Sequence, residues 1–174
     1  MQIVGKTWKF GDHINTDLIL PGPVMLLPFD EQPKYAFQAN RPGWAEEVSE
    51  GDIIVGGHNF GTGSGRPAAR SLGELGITCI VAESINGLFF RNCANYGVFA
   101  LECPGISKFI KEGDEIEVEF GQYTVRNKRT GEVLQGKRFP DVIRDVMEAG
   151  GIYSMMEQKG LLEDPNPETA SRHL

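Results

Sequence analysis

The spacing of hydrophobic residues changes several times along this chain, and the first third is the least regular part. Residues 2–10 alternate polar and apolar side chains, which is typical of a half-buried strand. Residues 21–43 contain five prolines, too many for a long helix. We therefore expect an irregular excursion with one helical turn. Because long irregular segments in compact proteins are often functional, this excursion is a candidate lid or substrate loop.

From residue 52 onward, short apolar runs alternate with helical patterns. The runs predict strands and helices at residues 52–55, 67–75, 77–82, 85–96 and 98–103, in the order strand, helix, strand, helix, strand. Pro67 suits a first helical turn, and Gly76 suits a helix end. This alternation predicts parallel strands with right-handed crossovers. In such sheets, ligands bind at the carboxyl ends of the strands.

Beyond residue 103, the pattern predicts antiparallel hairpins followed by helices. Strands are expected at residues 114–120, 123–127 and 132–135, and helices at residues 140–149 and 152–159. The predicted fold class is α/β: a central parallel or mixed sheet flanked by helices, a C-terminal antiparallel hairpin region and a terminal helix. We expect one domain over residues 1–162 and a loose, proline-containing tail over residues 163–174.

Charge and cysteine content narrow the function. A net charge of −7 argues against a nucleic-acid surface, and no apolar run is long enough to span a bilayer. The N-terminus lacks a signal-peptide pattern, and the three cysteines form no C-x-x-C unit, so we expect a cytoplasmic protein. Each cysteine lies in an apolar or amphipathic pattern that predicts a buried thiol. His13 and His58 lack metal-ligand spacing, and no metal is assigned to this chain.

The chemistry most visible in the sequence lies in the glycine turn, residues 56–67, which read GGHNFGTGSGRP. The turn follows a predicted strand and precedes a predicted helix. Exposed backbone N–H groups and a helix N-terminus favour negative charge at such a place. The turn also carries the hydroxyl of Ser64 and the guanidinium of Arg66. It is therefore a candidate site for a carboxylate or a phosphate.

Other interpretations of these residues are weaker but stay open. A dinucleotide site could use Glu83 after the next strand, yet Arg66 occupies the position where the G-x-G-x-x-G template requires its third glycine. A P-loop would need Gly-Lys-Ser/Thr after the glycines, and none follows. A serine-hydrolase elbow centred on Ser64 would need glycine at positions 62 and 66, which are Thr62 and Arg66. Ser64 could merely cap the helix with Arg66 on its surface, Asp17 could merely form a turn, and Arg91 could lie on the surface or reach the site.

Several ordered motifs together resemble the aconitase family, and within it the swivel domain that forms the small subunit of 3-isopropylmalate dehydratase. They are GDHINTDLILP at residues 11–21, NFGTGSGR at 59–66, FFRN at 89–92, LEC at 101–103, TGEV at 130–133 and EAGG at 148–151. The resemblance covers nearly the whole chain. It implies a swivelling β/β/α-type domain acting on a substituted malate in leucine biosynthesis, in the cytoplasm.

The resemblance also implies how the reaction is divided between subunits. A separate large subunit carries a [4Fe–4S] cluster, this chain holds no cofactor, and the two are active only as a heteromer that reversibly removes water from a hydroxylated di- or tricarboxylic acid. Without its partner the chain could self-associate. The alternatives are the same chemistry on homoaconitate, 2,3-dimethylmalate or aconitate, a nucleotide-binding module, and a non-catalytic assembly subunit.

For individual residues, the resemblance implies that Ser64 removes the proton beside a carboxylate and that Arg66 clamps a carboxylate. The neighbouring substrate-binding residues would be Thr62, Gly63 and Gly65, and the supporting or loop residues would be Thr16, Asp17, Met25, Leu26, Leu27, His58, Asn59 and Arg91. A guanidinium, a helix N-terminus and bare N–H groups would stabilise a serine alkoxide and the developing charge.

Two places depart from the usual family pattern, which is Gly-Ser-Ser-Arg-Glu-His at the turn. Here Gly65 replaces the second serine, and Pro67 and Ala68 replace the Glu-His pair. After Pro21, where relatives often carry an arginine, the chain instead has an apolar stretch at residues 22–27. We therefore expect a substrate with an apolar side.

Overall fold

The structure is a computed structural model and describes residues 1–63 and 67–162. The predicted base and clamp, Ser64 and Arg66, lie outside the described residues, as do Gly65 and the expected tail at residues 163–174.

Within the described residues, seven strands form one mixed sheet. In chain order they are β1 (Gln2–Lys9), β2 (Ile53–Gly56), β3 (Cys79–Ala82), β4 (Phe99–Glu102), β5 (Glu115–Glu119), β6 (Thr124–Asn127) and β7 (Val133–Gln135). Their order in the sheet is β4-β3-β2-β1-β5-β6-β7. The strands from β1 to β4 pair in parallel, and those from β5 to β7 are antiparallel, with β5 also antiparallel to β1. The expected parallel sheet with an antiparallel hairpin region is confirmed.

The helices accompany this sheet in the expected order. They are α1 (Thr16–Ile19), α2 (Trp44–Glu47), α3 (Ala68–Glu74), α4 (Gly87–Asn95), α5 (Ile106–Phe109), α6 (Asp141–Glu148) and α7 (Ile152–Gln158), with 3₁₀ helices at Gly22–Leu26 and Gln32–Tyr35. The longer helices match the sequence pattern. The helices α1, α2 and α5 were not predicted, because a four-residue helix is too short to show a helical period.

The sheet curls until its two edges meet. The N–H of Lys137, just after β7, donates to the carbonyl of Glu102 at the end of β4, 2.7 Å away. A Cβ atom on Gly136 would lie 2.9 Å from the Leu101 side chain, so a side chain there would push the edges apart. Phe99 of β4 also packs against Phe120 after β5, with ring centroids 4.7 Å apart. The hairpin region is thereby joined to the parallel half.

The excursion at residues 21–43 is partly built into the core. Its Phe37 is fully buried and stacks on Phe10 with centroids 4.0 Å apart, and Trp44 packs edge-on against both rings. The neighbouring Trp8 donates its indole N–H to Asp52 at 2.7 Å. The expectation of a single helical turn here was wrong, since two 3₁₀ helices form. Proline breaks the α-helical ladder but is tolerated at the start of these short turns.

Gly5 offers a test of how closely the chain packs beside the sheet. A Cβ atom at Gly5 would lie 2.1 Å from the carbonyl oxygen of Gly51, a rigid backbone atom. We expect Gly5→Ala to lower the free energy of unfolding by about 1–3 kcal/mol through overpacking. Gly11→Ala is the matched control because nothing lies within 4 Å of its Cβ position. Urea unfolding of both variants measures the difference, and equal midpoints would contradict the predicted clash.

Candidate functional site

The candidate site begins where β1 and β2 end, because their parallel pairing continues into the two following loops. The N–H of His13 donates to the carbonyl of His58 at 2.7 Å, and the N–H of Gly61 donates to Ile14 at 2.7 Å. The N–H of Thr16 then donates to the carbonyl of Thr62 at 2.8 Å. These bonds bring the motif at residues 11–21 against the glycine turn. The two motifs are more than thirty residues apart in the sequence, so their contact is a property of the fold.

Two glycines of the turn are required by backbone conformation and by close approach. Gly61 has φ +76°, and its Cβ position lies 2.2 Å from the Phe89 ring on α4. Gly63 has φ +125°, and its Cβ position lies 2.6 Å from Oγ1 of Thr16. Residues with a side chain rarely adopt such φ values. The turn therefore reaches Gly63, the last described residue before Ser64, with its backbone held against α1 and α4.

A third loop, between β3 and α4, supports the turn from the other side. Ser84 accepts from the N–H of Asn59 through its hydroxyl at 2.9 Å and from the N–H of Phe60 through its carbonyl at 3.0 Å. The N–H of Asn86 returns a bond to the carbonyl of Phe60 at 2.8 Å. Ile85, between them, donates its N–H to Oε1 of Glu102 at 2.7 Å. The turn is thus fixed by β3 and β4 as well as by β1.

Exposed polar side chains gather at this edge. Oδ1 of Asp12 accepts the N–H of His58 at 2.7 Å, and Nδ2 of Asn59 lies 3.2 Å from Nδ1 of His13. Thr62 donates its hydroxyl to the carbonyl of Asn59 at 2.7 Å. Both His13 and Asn59 have φ of +56°, a conformation that is uncommon for residues with side chains. The structure therefore places the predicted residues His58, Asn59, Thr62 and Thr16 around one turn.

The remaining predicted residues lie on α1, in or just after the 3₁₀ helix Gly22–Leu26, and on α4. Asp17 is in the only turn of α1, whose N-cap is Asn15 with its side-chain oxygen accepting the N–H of Leu18. Met25 and Leu27 are 37% exposed and Leu26 is 89% exposed, which is unusual for apolar side chains. Arg91 is exposed on α4, and no hydrogen bond or ion pair joins it to the described part of the turn.

Pro67 occupies the N-cap position of α3 and makes no side-chain capping bond. The alternative that Ser64 merely caps this helix falls on a residue outside the described part of the chain. The sequence also missed Ser84 and Glu102 as supporting residues. Both were visible as polar side chains at the carboxyl ends of predicted strands, where side chains from neighbouring parallel strands meet.

Glu83 has a structural partner that counts against the dinucleotide interpretation. Its carboxylate accepts the N–H groups of Gly105 and Ser107 at 2.6 and 2.8 Å, and also the Ser107 hydroxyl. Burial alone would raise the pKa of Glu83, but these hydrogen bonds outweigh it and hold the pKa below its ordinary value. Glu83 thus anchors the start of α5, and its acceptor oxygens are engaged there.

The cysteines do not offer a metal site. Cys79, Cys93 and Cys103 are all buried free thiols, as predicted. Burial raises the pKa of Cys79 and Cys93, and it raises that of Cys103 to about 12, so that all three favour the protonated form. Within residues 1–63 and 67–162, no group of three or more His, Cys, Asp or Glu side chains is arranged to hold a metal ion.

Among the described residues, no helix combines the length and the apolar character needed to cross a membrane.

Comparison with known proteins identifies close relatives. Residues 28–105 match the family described as the Aconitase C-terminal domain. The isopropylmalate/citramalate isomerase small subunit of Methanocaldococcus jannaschii is 40% identical over 159 residues, covering 90% of this chain and 95% of the relative. The 3-isopropylmalate dehydratase small subunit of Methanosarcina mazei is 41% identical, covering 85% and 92%. A solved structure of 3-isopropylmalate dehydratase from M. jannaschii superposes with a TM-score of 0.86 at 29% identity, covering 92% of this chain and 96% of that one.

The hydrogen bonds from the start of α5 to the Glu83 carboxylate can be tested by their dependence on pH. Because its folded pKa is depressed, its carboxylate stabilises the fold above its unfolded pKa of about 4.3, and that contribution is lost as pH falls through the folded value. We expect Glu83→Gln to lower the free energy of unfolding by about 1–2 kcal/mol at pH 7. The difference from the wild type should shrink below about pH 4.

Urea unfolding between pH 3 and pH 7 measures this difference. Glu157→Gln is the control, because Glu157 is exposed near the end of α7 and its side chain makes no hydrogen bond or ion pair in the described part of the chain. A Glu83→Gln deficit that stays constant over the whole pH range would contradict the proposed role of the carboxylate.

Proposed function

The chain belongs to the 3-isopropylmalate dehydratase small-subunit family of hydro-lyases, and we propose that it reversibly dehydrates an alkyl-substituted malate together with a separate large subunit. The observation that carries the proposal is the joining of the two family motifs, residues 11–21 and 59–66, by backbone hydrogen bonds at the carboxyl ends of β1 and β2. That arrangement supports a site for a carboxylic acid at this edge.

We propose 3-isopropylmalate and its 2-isopropyl isomer as the substrates, which places the chain in leucine biosynthesis. The exposed apolar side chains Met25, Leu26 and Leu27 support a substrate with an alkyl group, because a purely polar acid would gain nothing from them. The name of the M. jannaschii relative adds citramalate, whose alkyl group is smaller, as a second substrate to assay.

Ser64 is proposed as the base and Arg66 as the carboxylate clamp. In the dehydration, Ser64 Oγ takes the proton from the carbon beside a carboxylate, that C–H electron pair becomes the new double bond, and the hydroxyl leaves the adjacent carbon. A serine is a poor base because its hydroxyl normally stays protonated, so the alkoxide has to be stabilised. Backbone N–H groups and the Arg66 guanidinium can stabilise that negative charge. Thr62, Gly63 and Gly65 are proposed to contact the substrate.

The residues around the turn are proposed to support this chemistry without reacting. Thr16 and Thr62 hold the backbone on either side, as their 2.8 Å hydrogen bond indicates, while His58 and Asn59 present polar groups at the same edge. We assign Asp17 and Arg91 to the same supporting set because of their places in the family motifs. Gly65 and Pro67, which replace polar residues of the usual pattern, leave more of the binding to Arg66.

The [4Fe–4S] cluster is proposed to belong to the large subunit. The described residues fit no such group: the three thiols are buried and favour protonation, and no metal-binding group of side chains is present among them. The cluster would supply the Lewis acid for the departing hydroxyl. This chain's own part is then to bind the carboxylate, to orient it and to move the proton.

Replacing Ser64 tests the proposed base. We expect Ser64→Ala, reconstituted anaerobically with the large subunit, to lower turnover on 2-isopropylmaleate by about 10²–10⁴-fold, since a positioned base contributes about that much. Ser49→Ala is the matched control at an exposed serine away from the site. Gel filtration should show that the Ser64→Ala complex still assembles. Near-normal turnover of that complex would show that another group is the base, and inactivity of the wild-type complex on every substituted maleate would overturn the proposed function.

Replacing Arg66 tests the clamp. Lysine keeps the charge but cannot make two parallel hydrogen bonds to a carboxylate, so Arg66→Lys should raise KM by about tenfold or more with a smaller loss of kcat. Arg126→Lys, at an exposed arginine on β6, should leave both constants unchanged. An unaltered KM in the Arg66→Lys complex would place the clamp elsewhere.

A further inference from the structure

Beside the glycine turn lies a second concave feature, which we call the cationic pocket. It is a cavity of about 240 Å³ lined by Ile85, Gly87, Phe90, Glu102, Lys137, Arg138 and Phe139. The rings of Phe90 and Phe139 meet edge to face, with centroids 5.3 Å apart, and form its apolar floor. Lys137 and Arg138 lie at its rim and are exposed. The pocket thus combines an aromatic floor with a basic edge.

The charge at this pocket is opposite to that of the chain as a whole, which is −7. Oε2 of Glu102 neutralises Lys137 at 2.9 Å. Arg138 has no carboxylate partner in the described part of the chain, and its guanidinium lies 5.9 Å from the Tyr123 ring centroid. Nη1 of Arg91, which is likewise without a described ion pair, lies 3.7 Å from the Cβ position of Gly87 on the pocket wall. Of the residues that line the pocket, Arg138 therefore remains to pair with an external anion.

The pocket adjoins the candidate site through shared backbone. Ile85 lines the pocket and forms a bridge with Phe60 of the glycine turn. Glu102, also on the wall, accepts the N–H of Ile85 and the ammonium of Lys137. Any protein that covers the turn to complete the active site must therefore lie close to this pocket.

We infer that the cationic pocket docks an acidic segment of the large subunit, with a carboxylate paired to Arg138 and an apolar side chain seated against Phe90 and Phe139. This inference rests on the proposed function, which supplies the large subunit. Charge complementarity is its main support, because Arg138, which has no described carboxylate partner, and the neighbouring Lys137 favour a negatively charged partner surface. The aromatic floor is the reason to expect an apolar side chain of the partner next to that carboxylate, because buried apolar contacts usually form the centre of an interface.

A protein segment suits the pocket better than a small free anion does. The Lys137 side chain is 56% exposed, and Arg91 and Arg138 are also exposed. Ion pairs that stay exposed to water contribute too little binding free energy to retain a small ion by themselves. A docked subunit would exclude water around the ion pair and bury the Phe90 and Phe139 rings at the same time. Both the electrostatic attraction and the burial of apolar surface would then favour binding more strongly.

Charge reversal at Arg138 tests the inference. Titration calorimetry of the full chain against its large subunit should give a dissociation constant at least about tenfold weaker for Arg138→Glu than for the wild type. Arg138→Lys, which keeps the charge, should stay much closer to the wild type. Arg126→Glu makes the same charge change on β6, where the arginine already faces Glu117, and should bind as the wild type does. The wild-type affinity should also fall more steeply with salt than that of Arg138→Glu.

The outcomes separate this inference from the proposed function. Equal affinities for the wild type, Arg138→Glu and Arg126→Glu would overturn the docking site while leaving the heteromer intact. Equal weakening by Arg138→Glu and Arg126→Glu would also overturn it, because only net charge would then matter. If the wild-type chain fails to bind the large subunit at all, the proposed function fails together with the docking site. Circular dichroism of each variant verifies that the exposed substitution leaves the fold intact.

Discussion

The candidate site depends on one interaction: the parallel pairing of β1 and β2 does not stop where the strands end. Hydrogen bonds from His13 to His58, from Gly61 to Ile14 and from Thr16 to Thr62 extend it through both loops. Each loop is irregular and would be flexible alone, but backbone donors and acceptors in one loop are satisfied by the other. Residues 57–63 of the glycine turn consequently have a defined position without belonging to a regular element.

A second contact, made at the opposite edge of the parallel half, supports the same turn. Glu102 receives the backbone N–H and the ammonium of Lys137, and its other carboxylate oxygen holds the loop that carries Ser84 and Ile85. One residue therefore joins the closing edges of the sheet to the loop beneath the turn. This explains how the antiparallel hairpins, which carry none of the proposed catalytic residues, can still influence the site.

Composition and periodicity predicted most of the regular structure. The elements and roles that they missed are very short helices and contacts made in the tertiary structure. Strands such as β2 and β3 were visible because they are continuous apolar runs bounded by turns. The single-turn helices α1, α2 and α5 left no period to detect. The sequence could suggest Glu83 as a ribose ligand, yet tertiary contacts with Gly105 and Ser107 engage its carboxylate. Likewise, the irregular excursion was correctly located, but nothing in its pattern showed that Phe37 anchors it in the core.

The sequence by itself determined the order of the elements, the buried thiols and the residues of the glycine turn, because each depends on neighbours close in the chain. It also carried the family resemblance, since motifs such as NFGTGSGR are runs of adjacent residues. Only the tertiary structure decided which loops meet at the turn, which carboxylates are already engaged, and that Phe90, Lys137 and Arg138 line one pocket. Some of those relations join residues more than 45 positions apart, and the spacing of residues along a chain does not specify how its strands and loops close on one another in space.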